Sequence, residues 1–181
     1  MSGQCAAGAC SHTSSTPYHQ TIDEVEFERG IWTAALENNV DKMTSLLTKD
    51  SGHANKQDGN GYTALHYAAR AGHREACKLL LSHGADVNAR LRGGDTAMHR
   101  ASYKGRVSVV ELLISHGAEA IQGADGQTPL HKAVEQTQLQ TAKLLVESYP
   151  HLKVIRDDKQ RQPIDLYSGE DVEWLSLLAE G

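Results

Sequence analysis

The chain repeats itself every 33 residues: Gly61 returns as Gly94, His66 as His99, Gly72 as Gly105 and Gly84 as Gly117. A constant interval at four separate marks restricts the fold to stacked copies of one small unit. Within the copy spanning residues 58–90, Thr63 caps a short helix through its hydroxyl, and Leu65, Ala68 and Ala69 follow at helical spacing. Gly72 ends that helix, because glycine alone enters the left-handed conformation without a Cβ penalty. The segment "REACKLLLSH" then places Cys77, Leu80 and Leu81 on one face of a second helix, which Gly84 stops. The polar stretch "ADVNARLRGGD" leads as a turn-rich loop into the next copy.

The second copy, 91–122, repeats the scheme with Thr96, Met98, His99, Ala101, Leu112, Leu113 and Ile114. The third, 123–156, keeps Thr128, Pro129, Leu130, His131, Ala133, Leu144 and Leu145, with Pro129 at a favourable first helical position. Capping units are expected at both ends. Residues 21–57 supply one, in which Ile31, Trp32, Ala34, Ala35 and Leu36 pack a first helix and Met43, Leu46 and Leu47 a second. Residues 157–181 supply the other, where Asp157, Pro163, Ile164 and Leu166 keep the frame and Trp174, Leu175, Leu177 and Leu178 close the open end. Residues 1–20 are rich in Ser, Thr, Ala, Gly and Cys without periodicity and read as a disordered tail.

Two departures predict an irregular third copy. Gly126 follows Gly94 by 32 residues, so its loop is one residue short. Thr137 stands where the glycine between the helices belongs, and "SYP" where the next unit mark belongs. A left-handed turn without glycine costs roughly 1–2 kcal/mol.

Composition narrows the function. With 18 basic residues against 23 acidic ones the net charge is −5, which argues against nucleic acid as the principal ligand. Three cysteines make no disulfide framework, the N-terminus lacks the apolar run of a secretory signal, and no segment reaches the roughly 20 apolar residues that span a bilayer. A monomer in the cytoplasm, the nucleus or both is expected, away from membranes.

From about residue 25 to 179 the chain resembles the ankyrin repeat family, most clearly in "DGNGYTALHYAARAGHREACKLLLSHGADVN". The resemblance implies an all-α solenoid of helix-turn-helix units with projecting hairpin loops. It also implies that His66, His99 and His131 hydrogen-bond between neighbouring units. With His73, His83 and His116 at repeat positions as well, six of the ten histidines belong to the architecture rather than to a metal site. No nucleotide-binding, nucleophile-elbow or metalloprotease motif occurs, so neither catalysis nor a cofactor is expected. Cys5, Cys10 and His12, with His19 as a fourth ligand, leave a metal-binding role for the tail as an alternative function. A structural subunit of a larger complex is another.

Stacked units leave a concave face of first helices and loops, and such faces bind proteins. The residues that the frame does not need are therefore the candidate contacts. They are Asn60, Tyr62 and Arg70 in the first unit. Arg90 at the end of the first unit joins them; the second unit supplies Leu91, Arg92, Asp95, Tyr103 and Lys104, and the third Gln127, Glu135 and Gln136. Leu91 stands where the first unit has Asp58, an apolar side chain on a projecting loop that a partner is expected to cover. Separately, "LLLSHGADVN" resembles the segments modified by an asparaginyl hydroxylase, with Asn88 as acceptor. The bland alternative is that Asn88 stabilises a turn.

Overall fold

The computed structural model describes residues 30–123 and 125–179. The tail, with Cys5, Cys10, His12 and His19, lies outside the described residues, as does the start of the first capping unit. Eight of the nine α-helices in this part form four pairs: α1 (Ile31–Leu36) with α2 (Val40–Lys49), α3 (Ala64–Ala71) with α4 (Arg74–Ser82), α5 (Ala97–Tyr103) with α6 (Val107–Ser115), and α7 (Pro129–Glu135) with α8 (Leu139–Ser148). A 3-10 turn at Pro163–Leu166 takes the place of a fifth first helix, and α9 (Val172–Leu178) that of its second. First helices stack on first helices and second on second along the chain order. The described residues contain no strand.

Small side chains permit this stacking. Ala34, Ala35, Ala68, Ala69, Ala101 and Ala133 are fully buried where first helices meet, so backbones approach closely while Leu65, Met98 and Leu130 fill the layer beneath. Leu36 and Leu175, expected in the end cores, are instead 44% and 42% exposed. Ile31, Trp32, Met43 and Leu47 complete the first end, and Trp174, stacked on Tyr167 at 5.2 Å, completes the other with Leu178. Each end helix has one neighbouring layer, so only one stripe of it is covered.

Every helix pair in the array turns through a residue of positive φ: Asn38 at 56°, Gly72 at 92°, Gly105 at 66° and Thr137 at 51°. The third unit therefore keeps the left-handed turn despite its threonine. Tertiary stacking fixes the chain reversal, and the intrinsic cost of Thr137 is absorbed.

The short loop is likewise not distorted at its tip. In all four hairpins the first residue donates to the carbonyl of the fifth, and the fourth donates back to the first. The pairs are Asp58 N to Tyr62 O, Leu91 N to Asp95 O, Gly123 N to Gln127 O and Asp157 N to Arg161 O, all at 2.9 Å. The missing residue is taken from the approach, since seven positions separate Gly84 from Leu91 but six separate Gly117 from Gly123. Irregularity does appear after α8, where Tyr149 leads into a 3-10 turn at Pro150–Val154 and its hydroxyl donates back to Ala118 O at 2.6 Å. That bond ties the third unit to the second.

Candidate protein-binding face

Three kinds of polar residue serve the frame, two by bonding between units and one by bracing each hairpin, and each removes candidates from functional consideration. The in-phase histidines come first. Thr63, Thr96 and Thr128 N–H donate to Nδ1 of His66, His99 and His131 at 3.1–3.2 Å, closing a capping box at the start of each first helix. With Nδ1 accepting, the proton sits on Nε2, which donates to Gln127 O from His99 and to Arg161 O from His131, both 3.1 Å away in the next hairpin. Burial lowers all three rings from the ordinary histidine range, His66 down to about 4. All three rings are neutral; His99 and His131 bridge to the next unit, whereas His66 Nε2 is buried without a hydrogen-bond partner.

The loop asparagines come second. Asn55 donates to Gly84 O and accepts from Asp86 N, both at 2.8 Å. Asn88, in phase with it, donates to Gly117 O at 3.4 Å and accepts from Glu119 N at 2.8 Å. The Asn88 side chain is thus committed to the next unit, and an asparaginyl hydroxylase would have to draw it out of that clamp.

The hairpin aspartates come third. Asp58 accepts from Asn60 N and Tyr62 N, while Tyr67 donates its hydroxyl to the other carboxylate oxygen at 2.7 Å. Burial and this carboxylate both push the Tyr67 phenol upward. Asp157 repeats the arrangement with Lys159 N, Arg161 N and a two-pronged contact from the Arg161 guanidinium. Burial raises the Asp157 carboxyl, but the Arg161 bonds outweigh it and hold the group down to about 2.

Leu91 occupies this same hairpin position, and here the expectation of an uncovered side chain fails: it is 6% exposed. The preceding hairpin packs against its backbone, since a Cβ on Gly61 would lie 3.5 Å from Leu91 Cα, and Arg92 N donates to Asn60 O at 3.4 Å. The side chain is thus enclosed within the fold itself. Leu91→Ala is therefore expected to lower stability by about 1–3 kcal/mol in chemical denaturation, without changing partner capture.

Asp95 and Gln127, expected at the surface, are also largely enclosed, at 9% and 6% exposure. They are the fifth residues of their hairpins and turn toward the first-helix row. Asp95 pairs with Arg100 at 3.4 Å, and a Cβ on Gly123 would come within 2.5 Å of Asp95 Oδ1, so the third hairpin leans on this carboxylate.

The other candidates lie open. Asn60, Arg70, Arg90, Arg92, Lys104 and Glu135 are exposed, and Tyr62, Tyr103 and Gln136 are half-buried. Arg90 donates to Gln122 O at 2.6 Å, which bends it along the hairpins. Arg70, Tyr103 and Glu135 are in phase at the ends of α3, α5 and α7, with Lys104 and Gln136 one residue further on. The Lys104 ammonium sits 5.4 Å from the Tyr103 ring centre.

The structure adds a row that the sequence reading passed over. Tyr67, Arg100 and Lys132 each follow an in-phase histidine and form the floor between first helices and hairpins. Tyr67 lies against Tyr62 with ring centres 5.1 Å apart, and the Arg100 guanidinium lies over Tyr62 at 5.4 Å. Lys132 pairs with Asp125 at 2.8 Å. The row was detectable as the position one after each repeated histidine. Its side chains differ in type, which hides it from a search for recurring residues.

The second-helix row offers no comparable chemistry. Cys77 there is fully buried and its thiol pushed up to about 12 by burial, which leaves it unreactive. Among the described residues no group of three or more His, Cys, Asp or Glu side chains is placed to hold a metal ion, and no helix is long and apolar enough to cross a membrane.

Comparison with known proteins agrees with the repeat. A family model for ankyrin repeats (3 copies) matches residues 19–91 and 90–158. Ankyrin repeat domain-containing protein 39 of Homo sapiens is 45% identical over 88 residues, covering 48% of each chain, and its Bos taurus counterpart is 49% identical over 71 residues, covering 38% of each. Ankyrin repeat domain-containing protein 49 of Bos taurus is 41% identical over 59 residues, covering 33% of this chain and 24% of its own. The chain spans at most about half the length of these curated relatives. With the 33-residue period, the paired helices and the hairpin tips in register, the family match shows that this chain belongs to the ankyrin repeat family.

Proposed function

We propose that this protein is a non-catalytic adaptor that captures a partner protein on the face formed by its first helices and hairpins, chiefly across the units containing α3, α5 and α7. The observation that carries this reading is the state of Arg70, Arg92 and Lys104. All three are exposed, Lys104 lies over the half-buried Tyr103 ring, and none makes an ion pair among the described residues. Tyrosine and arginine together are the side chains that concentrate binding energy at interfaces. The histidines, Asn88 and Leu91 of the same units are bonded or buried within the stack, and Tyr67, Arg90 and Lys132 have partners of their own. The Arg70, Arg92 and Lys104 side chains, in contrast, have no hydrogen bond or ion pair among the described residues.

Arg92→Ala combined with Tyr103→Ala is expected to weaken partner capture at least about tenfold, the loss of more than 1.4 kcal/mol typical of removing interface anchors. Melting temperature and helicity stay at their original values, because neither side chain belongs to the buried core. Capture by the double variant at the original level would remove this face from the account.

A further inference from the structure

We infer that the partner presents an acidic, extended segment carrying at least one aromatic side chain, laid across the middle unit of the array. The inference rests on the reading that this face binds a protein, and names what kind of protein segment it takes.

The charge distribution points there. The chain as a whole carries −5, yet the hairpin and first helix of the middle unit, residues 90–106, hold five Arg or Lys against the single carboxylate of Asp95. That carboxylate is 9% exposed and already engaged by Arg100, so it screens little of what faces outward. Arg92 stands at the hairpin tip, Arg100 on the floor and Lys104 at the end of α5. The three mark a line across the unit, from the hairpin tip over the floor to the end of the helix.

Arg100 is only partly used. It meets Asp95 through one terminal nitrogen at 3.4 Å and its side chain stays 32% exposed, so terminal N–H donors remain for a carboxylate; its Nε is buried and takes no part. Beside this line stand Tyr62, whose ring already takes the Arg100 cation, and Tyr103, whose ring takes that of Lys104. A segment with carboxylates on alternate residues and an aromatic between them matches both features: carboxylates for the guanidiniums, a ring for the tyrosine faces.

A polyphosphate backbone fits less well. Lys132 carries the half-exposed carboxylate of Asp125 beside it, and a run of phosphates laid across the floor would meet that charge. Point contacts from spaced carboxylates avoid that repulsion.

The test uses the full chain and labelled peptides of about twelve residues in fluorescence anisotropy. One alternates Glu or Asp with Phe and small residues, one carries Gln and Asn in place of the acids, and one carries Lys. A thymidine oligonucleotide of similar length is the fourth probe. The expected result is that the acidic peptide binds at least about tenfold tighter than its amide counterpart and weakens as salt rises from about 0.05 to 0.3 M. Arg92→Glu with Lys104→Glu abolishes that preference at unchanged melting temperature.

Equal binding of acidic and amide peptides overturns the inference, as does an oligonucleotide that binds as tightly as the acidic peptide. The chain's own "DEVEFE" stretch is a rival occupant. If acidic peptide binds only after Asp23, Glu24, Glu26 and Glu28 are changed to amides, the face belongs to that stretch and the assignment to a partner fails. A photoreactive residue at position 103, and in parallel at Lys78 on α4, separates this failure from that of the broader reading. Cell-extract crosslinks at position 103 to neutral segments overturn the acidic class alone. Crosslinks confined to position 78 overturn the binding face itself.

Discussion

Acidification from about pH 7 to pH 4 is expected to remove about 3 kcal/mol of stability through His66 alone, with further losses of the same sign from His99 and His131. An unfolded histidine takes up its proton below about pH 6.5, whereas folded His66 stays neutral until about pH 4. Between those values the unfolded chain binds more protons, so stability falls as pH falls. Above the window the full contribution is present, and below it His66 adds no further loss. The structural reason is burial, reinforced by the bonding at Nδ1: a second proton there would confront the Thr63 N–H. Nearby charges modify the other two, as Asp95 favours the charged form of His99 and Lys132 disfavours it. Asp157, held at about 2, contributes its loss only below the ordinary carboxylate range, so the histidine window stands apart. Urea unfolding at half-unit pH steps reads the effect directly. A free energy that stays level from pH 7 to 5 would contradict the buried, neutral state of the three rings.

Gly126→Ala is expected to cost about 2–4 kcal/mol, whereas Gly117→Ala costs about 1 kcal/mol. Both glycines have positive φ, 70° and 79°, so the conformational penalty is shared. What differs is the surroundings. A Cβ at position 126 would lie 2.7 Å from the backbone nitrogen of Asp158 and 3.1 Å from the carbonyl carbon of Asp157, while one at position 117 meets nothing within 4 Å. The Asp158 N–H donates to Asp125 O at 3.2 Å, and Gln122 bridges Gly126 O to Arg156 O, so the last two hairpins cannot separate without losing those bonds. Thermal unfolding of the two variants side by side makes the comparison. Equal losses would mean that the close approach of neighbouring hairpins does not hold the array together.

Most of the frame was legible because period and residue type coincide in it. Thr63, His66, Gly72 and Gly84 recur in kind as well as in phase, and their roles in caps and turns follow from local chemistry. Leu91 was misjudged because its burial depends on the hairpin before it, a contact that local pattern does not encode. The same holds for Asp95 and Gln127, polar residues that read as surface but turn inward at the hairpin base. Thr137 and the one-residue deletion were expected to disturb the third unit. The stack instead imposed the left-handed turn and the hairpin tip, and shifted the adjustment to the stretch before Gly123. The floor row of Tyr67, Arg100 and Lys132 escaped because phase survives there while residue type changes. Such positions, where the frame tolerates different residues, are where the proposed binding face draws its side chains.

Backbone amide chemical shifts of the full chain, recorded while adding the partner segment recovered by crosslinking at position 103, test the binding face most directly. Shifts are expected in the hairpins and first helices across residues 58–72, 90–106 and 122–137, largest around Arg92 and Arg100, with α4 and α6 unmoved. Shifts that follow α4 and α6 instead, or that cluster at the two ends of the stack, would contradict it.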